Sequence, residues 1–136
     1  MNILNYRLKK TFFAAVALLA GVLLLSSCAE KIARYEDSGS VIHLKTGQVL
    51  NVELPGSAST GNEWKKISYD EQVISKESGP DYKPSDDRIG SAGLYYYKFK
   101  ALASGKTKLY MEYGSKYDAS KDPVKTFELE IIVDGK

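Results

Sequence analysis

LYYYKFKALASGKTKLYMEY, residues 94–113, decides the fold. Tyr95, Tyr97, Phe99 and Ala101 fall on one side of an extended chain, and Leu94, Tyr96, Lys98 and Lys100 on the other. After Ala103-Ser104-Gly105 the alternation resumes, with Thr107, Leu109, Met111 and Tyr113 as the apolar set. A period of two, aromatic enrichment and a Gly-containing break predict two half-buried strands, over Leu94–Leu102 and Lys106–Tyr113. Carried outward, the same reading predicts strands over Ser40–Lys45, Gln48–Leu54, Glu63–Tyr69, Gln72–Glu77 and Val124–Val133. Leu50, Val52 and Leu54 share one face; Phe127, Leu129, Ile131 and Val133 alternate with Glu128, Glu130 and Ile132. Seven short strands without a helical period predict an all-β chain, an immunoglobulin-like antiparallel β-sandwich of about seven strands. Trp64, the only tryptophan, is expected as a core anchor between the sheets, since large aromatics dominate such cores.

The joins between strands alternate in length. Thr46-Gly47, Asp70-Glu71 and Ala103-Ser104-Gly105 are tight, whereas PGSASTGN (55–62), SGPDYKPSDDRIGSAG (78–93) and GSKYDASKDP (114–123) are far longer than a hairpin requires. If successive strands reverse direction, every long join lands at one pole, and a rigid β scaffold presents three loops side by side. Binding surfaces are commonly built this way.

The N-terminus speaks to location. Arg7, Lys9 and Lys10 precede an apolar stretch from Thr11 to Leu25 that is too short for a spanning helix and ends in Leu-Ser-Ser-Cys28. Such a segment reads as a secretory signal over residues 1–27, and its ending resembles a bacterial lipoprotein cleavage box, which implies lipid on Cys28 and a place in the cell envelope. Ala29 after the cysteine resembles outer-membrane sorting. Removing 27 of the 136 residues leaves 109, enough for one domain, over 40–136. Residues 28–39 lack periodicity and read as the lipidated N-terminus and a tether. The leader holds three of the 19 basic residues and none of the 17 acidic ones, so the remaining chain is nearly neutral. No strong field therefore argues for nucleic acid or an acidic ligand. Cys28 is the only cysteine, so packing and not a disulfide holds the domain.

Catalysis finds no foothold. His43, the only histidine, alternates with Ile42 and Leu44 and reads as a solvent-facing or cross-strand imidazole; no serine or cysteine nucleophile has a second base to pair with. The chain is not expected to be an enzyme or to need a cofactor. Tyr96, Lys98 and Lys100 on one strand, and Lys106, Lys108 and Tyr110 on its neighbour, would form a basic aromatic sheet face. Such a face suits stacking on single strands or glycans, but a solvated face is the ordinary case and no nucleic-acid partner is expected.

With these residues set out, LPGSASTGNEW, then GSAGLYYYKFKALASGKTKLYMEY, then a long loop and TFELEIIV, resemble the chagasin family of cysteine-peptidase inhibitors, from about Gly47 to Val133. The resemblance implies an immunoglobulin-like sandwich that blocks papain-like peptidases with three loops at one end. Ser57, Ala58, Ser59, Thr60 and Gly61 stand where the family carries NPTTG, so Thr60 and Gly61 are retained; Asn62 replaces an aromatic and Trp64 is kept. Gly90, Ser91, Ala92, Gly93 and Leu94 match the Gly-rich second loop. Ser115, Lys116 and Tyr117 occupy the RPW positions, with Tyr117 as the flat aromatic. The resemblance thus implies peptidase contacts by these residues other than Trp64, fourteen in all.

Physical chemistry is compatible with that role. Small residues let the backbone of the first loop enter a narrow cleft, and Gly61 can supply a positive φ that Thr60 cannot hold cheaply. Asp81, Tyr82, Asp86, Asp87 and Arg88 in the second join read as solvated charges on a flexible flank; a DxDxDG-like spacing for calcium is missing, so no metal is expected. The outer faces show no clear apolar patch, and a monomer is expected. A second reading stays open, that of a non-inhibitory immunoglobulin-like envelope lipoprotein for adhesion or complex assembly.

Overall fold

Alternating apolar faces close into two sheets. In a computed structural model describing residues 29–135, the strands are β1 (Lys31–Arg34), β2 (Val41–Lys45), β3 (Val49–Gly56), β4 (Asn62–Ser68), β5 (Ile74–Pro84), β6 (Gly93–Ala101), β7 (Gly105–Ser115) and β8 (Lys125–Asp134). The proposed signal segment and Cys28 lie outside the described residues. One sheet has the order β1-β3-β6-β5, the other β2-β8-β7-β4. Leu50, Val52, Leu54, Tyr97 and Phe99 from the first meet Leu109, Met111, Phe127, Leu129 and Ile131 from the second, all buried. Each such side chain contributes roughly 1.5–3 kcal/mol by leaving water. Trp64 is 5% exposed, the core anchor expected of it. His43 stands outside on β2, 3.5 Å from the Asp134 carboxylate, and Glu128 and Glu130 face outward to Lys108 and Lys106.

Four expectations need correction. The described residues form eight strands, not seven, because the supposed tether contains β1. β1 pairs in parallel with β3, Lys31 opposite Leu50 and Ala33 opposite Val52, and Ala33 is fully buried. A four-residue strand that buries one small side chain offers no alternation to read. Secondly, the sandwich is not wholly antiparallel, since β2 also runs parallel to β8. Thirdly, half of the second long join is strand: β5 runs to Pro84 and pairs with β6 through Tyr82 opposite Tyr95. Bulges between Lys76 and Ser78 and between Ser78 and Asp81 erase the period there. Gly79, at φ +108°, sits where a Cβ would lie 2.6 Å from the Tyr96 carbonyl oxygen, so glycine is required; Pro80 and Pro84 are tolerated because β5 is an edge strand. Lastly, β6 and β7 are not neighbours. Their connection crosses between sheets, which puts Tyr96, Lys98 and Lys100 on one outer face of the sandwich and Lys106, Lys108 and Tyr110 on the opposite one. The expected single basic platform does not form.

The alternation of join lengths holds in three dimensions. β3, β5 and β7 end at one pole, where β4, β6 and β8 begin. At the other pole the short turns knit together: the Leu102 N–H donates to the Val73 carbonyl at 2.9 Å and the Gly47 N–H to the Ala101 carbonyl at 2.8 Å.

Candidate functional site, a three-loop edge

Three loops meet at the pole opposite the tight turns. The first, residues 57–61, is a single 3-10 turn, Ala58–Thr60, closed by Gly61 at φ +74°. It is built on a buried tyrosine. The Ser57 N–H donates to the Tyr113 hydroxyl at 2.9 Å, that hydroxyl lies 3.3 Å from the Ser57 carbonyl oxygen, and the Thr60 hydroxyl folds back to donate to the same carbonyl at 2.9 Å. Beneath, Trp64 packs 5.3 Å from the Tyr113 ring and donates its indole N–H to the Pro55 carbonyl at 3.1 Å. Ala58, Ser59 and Thr60 are left exposed on a supported backbone. The left-handed conformation at Gly61 would strain any L side chain, and a Cβ there would also press to 3.1 Å from the Tyr117 ring.

The second loop, residues 85–92, is tied across its own width. The Ser85 N–H donates to the Ala92 carbonyl, the Ser91 N–H to the Arg88 carbonyl, the Ser91 hydroxyl to the Asp86 carbonyl and the Tyr82 hydroxyl to the Ser91 carbonyl. The Asp86 carboxylate takes three donors from Arg88, its N–H at 2.9 Å and two guanidinium nitrogens at 3.0 and 2.6 Å. These hydrogen bonds hold the Asp86 carboxyl below its ordinary pKa and raise that of Arg88. The charges here stay in contact with solvent as expected, and these two are in addition clamped to each other. At the tip Ile89 stands fully exposed.

In the third loop, residues 116–124, the Ser115 hydroxyl accepts from the Tyr117 and Asp118 amides, and the Asp118 carboxylate accepts from the Ser120 N–H and hydroxyl. The Ser120 donors keep Asp118 below the ordinary carboxylate range. Tyr117 is 82% exposed, with the Lys116 ammonium 5.0 Å from its ring centre.

The loops line up in one order, second–first–third. Gly90 stands beside the Ser59 hydroxyl, at the distance where an added Cβ would come to 3.5 Å, and on the other flank the Lys116 N–H donates to the Gly61 carbonyl at 3.0 Å. Of the fourteen residues singled out by sequence, Ala58, Ser59, Thr60, Gly90, Ala92, Lys116 and Tyr117 lie exposed on this edge. Ser57, Gly61 and Ser91 are half-buried and shape it. Asn62, Gly93, Leu94 and Ser115 stand at its base in β4, β6 and β7. Sequence reading missed Tyr113 as the post under the first loop, since its alternation announces only burial. It also missed Ile89. The Asp-x-Arg and Asp-x-Ser spacings were the available signal for the two carboxylate clamps.

Comparison with known proteins decides the family. The description "Chagasin family peptidase inhibitor I42" matches residues 43–131, well over half of the chain. The chain belongs to the chagasin family of peptidase inhibitors. It is a family of inhibitors, not of enzymes. No curated protein matches the chain in sequence. Among solved structures, a cysteine protease inhibitor of Entamoeba histolytica superposes with a TM-score of 0.69 at 17% identity, covering 79% of this chain and 97% of that one. Amebosin gives 0.59 at 21% identity, with 78% and 99% covered. These likenesses concern the fold, a chagasin-like immunoglobulin sandwich. The match begins at His43, after β1.

Proposed function

We propose that this chagasin-family inhibitor acts on papain-like cysteine peptidases, and that it does so from a lipid anchor on Cys28 in the bacterial envelope, at the outer membrane. One observation carries the first half. The exposed Ala58-Ser59-Thr60 backbone is held from below by Tyr113 and flanked by the third loop, which hydrogen-bonds it, and by the second, whose Gly90 stands beside Ser59. A ridge of small residues on a fixed backbone fits a narrow cleft, and its order before binding spares the entropy of ordering it there. Internal hydrogen bonds at Ser57 and Thr60 keep the ridge in its own turn, which disfavours the extended geometry a peptidase needs for attack. On the flanks, Ile89 and Tyr117 offer apolar and aromatic area to the rims of the cleft, the kind of side chain that dominates interface energetics. The anchor rests on the sequence alone, on the basic residues, the apolar stretch and Leu-Ser-Ser-Cys28.

Titration of residues 29–136 into papain and a panel of related cysteine peptidases tests the activity. Stoichiometric inhibition, with the inhibitor recovered uncleaved, is the expected result. Loss of no activity anywhere across the panel would overturn the target class. Mass spectrometry of the chain made in a lipid-modifying bacterium tests the anchor, through an acyl mass on the peptide that begins at Cys28.

A further inference from the structure

We infer that the lipid bilayer lies directly against the tight-turn pole of the sandwich, so that the three-loop edge faces away from the membrane; this rests on the lipid-anchor reading above. The residue next to the anchor is not free to wander. The Ala29 carbonyl accepts from the Gln48 side-chain amide at 2.7 Å, and Glu30 is held by the Asn51 amide at 2.6 Å and by the Lys98 ammonium at 3.6 Å. The next four residues form β1, and the Lys31 ammonium reaches across to the His43 carbonyl on β2. The parallel register, Lys31 opposite Leu50, brings Ala29 level with Gln48. Gln48 follows the Thr46-Gly47 turn and belongs to the pole of short connections, where exposed Leu102 and Ser104 also lie.

Consecutive Cα atoms are about 3.8 Å apart, so a lipid-bearing Cys28 starts within one residue of that pole. An eleven-residue tether would have allowed a stand-off of roughly 35–40 Å and any orientation. Pairing of β1 removes that freedom. β3 then leads away from the pole for eight residues, which places the first loop about 26 Å farther out at roughly 3.3 Å per residue. Lys45, Asp70, Glu71 and Asp134 mix signs at or beside the pole, so the acyl chain, not surface charge, supplies the attachment. The inhibitor so held meets a peptidase that arrives through the aqueous compartment.

The test uses the full chain, lipidated by its bacterial host and reconstituted in phosphatidylcholine–phosphatidylglycerol vesicles. With the Cys28 thiol alkylated by lipid, Ser104→Cys and Ser59→Cys each offer one site for an environment-sensitive fluorophore, and both positions are exposed. Vesicles containing head-group nitroxide lipid should quench the label at residue 104 and leave that at residue 59 bright. A long Gly-Ser insertion between Cys28 and Ala29 should abolish the quenching at residue 104. Equal quenching at the two sites, or stronger quenching at residue 59, overturns the orientation while leaving the anchor intact. If the Cys28 peptide carries no acyl mass, anchor and orientation fall together.

Discussion

Replacing Tyr113 by phenylalanine separates the support of the first loop from the packing of the core. The ring keeps its place beside Trp64 and Tyr95, with centroids 5.3 and 6.5 Å away, and only the hydroxyl disappears. That hydroxyl is the partner of the Ser57 N–H and lies between the Ser57 carbonyl and the Thr60 hydroxyl. The lost hydrogen bond costs about 1 kcal/mol, and the half-buried Ser57 N–H left without a partner adds about 1–2 kcal/mol. The loss of roughly 2–3 kcal/mol has two ways to appear. A loop that keeps its shape passes the loss to global stability. A loop that relaxes into water spares the fold and passes the loss to binding, as roughly a 30- to 140-fold rise in Kd at about 1.4 kcal/mol per tenfold. Urea unfolding of residues 29–136 and inhibition of papain measure the two parts, and their sum is expected near the full amount. A Tyr113→Phe chain with both unfolding and inhibition unchanged would refute the claim that this hydroxyl holds the ridge.

Ile89→Ser is expected to weaken inhibition by about 10- to 100-fold, the equivalent of leaving one isoleucine out of an apolar contact, with no change in the thermal midpoint because the side chain touches nothing in the free protein; unchanged inhibition constants across the peptidase panel would remove Ile89 from the contact. Tyr97→Phe is expected to raise stability by up to about 1 kcal/mol in urea unfolding, because the Tyr97 hydroxyl is buried without a hydrogen-bond partner and burial already drives its pKa upward; a loss of stability would reveal a hidden partner. The folded-state pKa values of Glu112, Asp86 and Asp118 are depressed, chiefly by hydrogen bonds from Lys66, Arg88 and Ser120. Depressed values mean stability that is complete above the ordinary carboxylate range and lost as pH falls below it. Thermal midpoints should stay level from pH 8 to about 5 and decline only below about 4, and a decline that begins near neutrality would contradict this assignment.

Legibility followed the number of inward-facing side chains in each strand. β6, β7 and β8 each turn four residues inward at a spacing of two, all apolar but Thr107, and their faces are readable in full. β1 places one, Ala33, and β5 loses its period at two bulges, so β1 and the part of β5 beyond Glu77 read as irregular chain. Partnering was less readable than strand identity, because alternation reports which side is wet and not which strand lies alongside. That is why Lys98 on β6 and Lys108 on β7 were placed on one surface when they lie on opposite faces. At the site, join lengths foretold the pole, and loop composition foretold Gly61. The support from Tyr113 was hidden, since a hydroxyl at the end of a buried strand gives the same pattern as any other core aromatic.

Topology explains which residues of the first loop the family likeness retains and which it loses. This loop alone of the three crosses between sheets, from β3 to β4, while the second and third close hairpins within one sheet each. It therefore lies in the middle, over the core, and its neighbours reach it from either side. Its hold on the core runs through backbone groups: the Ser57 N–H and carbonyl meet Tyr113, and the Gly61 carbonyl meets Lys116. Side chains at positions 57, 58 and 59 are not needed for that hold, and these are where the chain departs from the Asn, Pro and first Thr of the motif it resembles. The retained residues each have a structural task. Thr60 closes the turn through its hydroxyl, Gly61 adopts a conformation other residues resist, and Trp64 packs under Tyr113 and fixes Pro55. The scaffold of the ridge is thus separable from its outer surface. Substitutions at Ala58 and Ser59 are therefore expected to alter inhibition constants across a peptidase panel while leaving urea unfolding unchanged, because they do not touch the groups that keep the ridge upright.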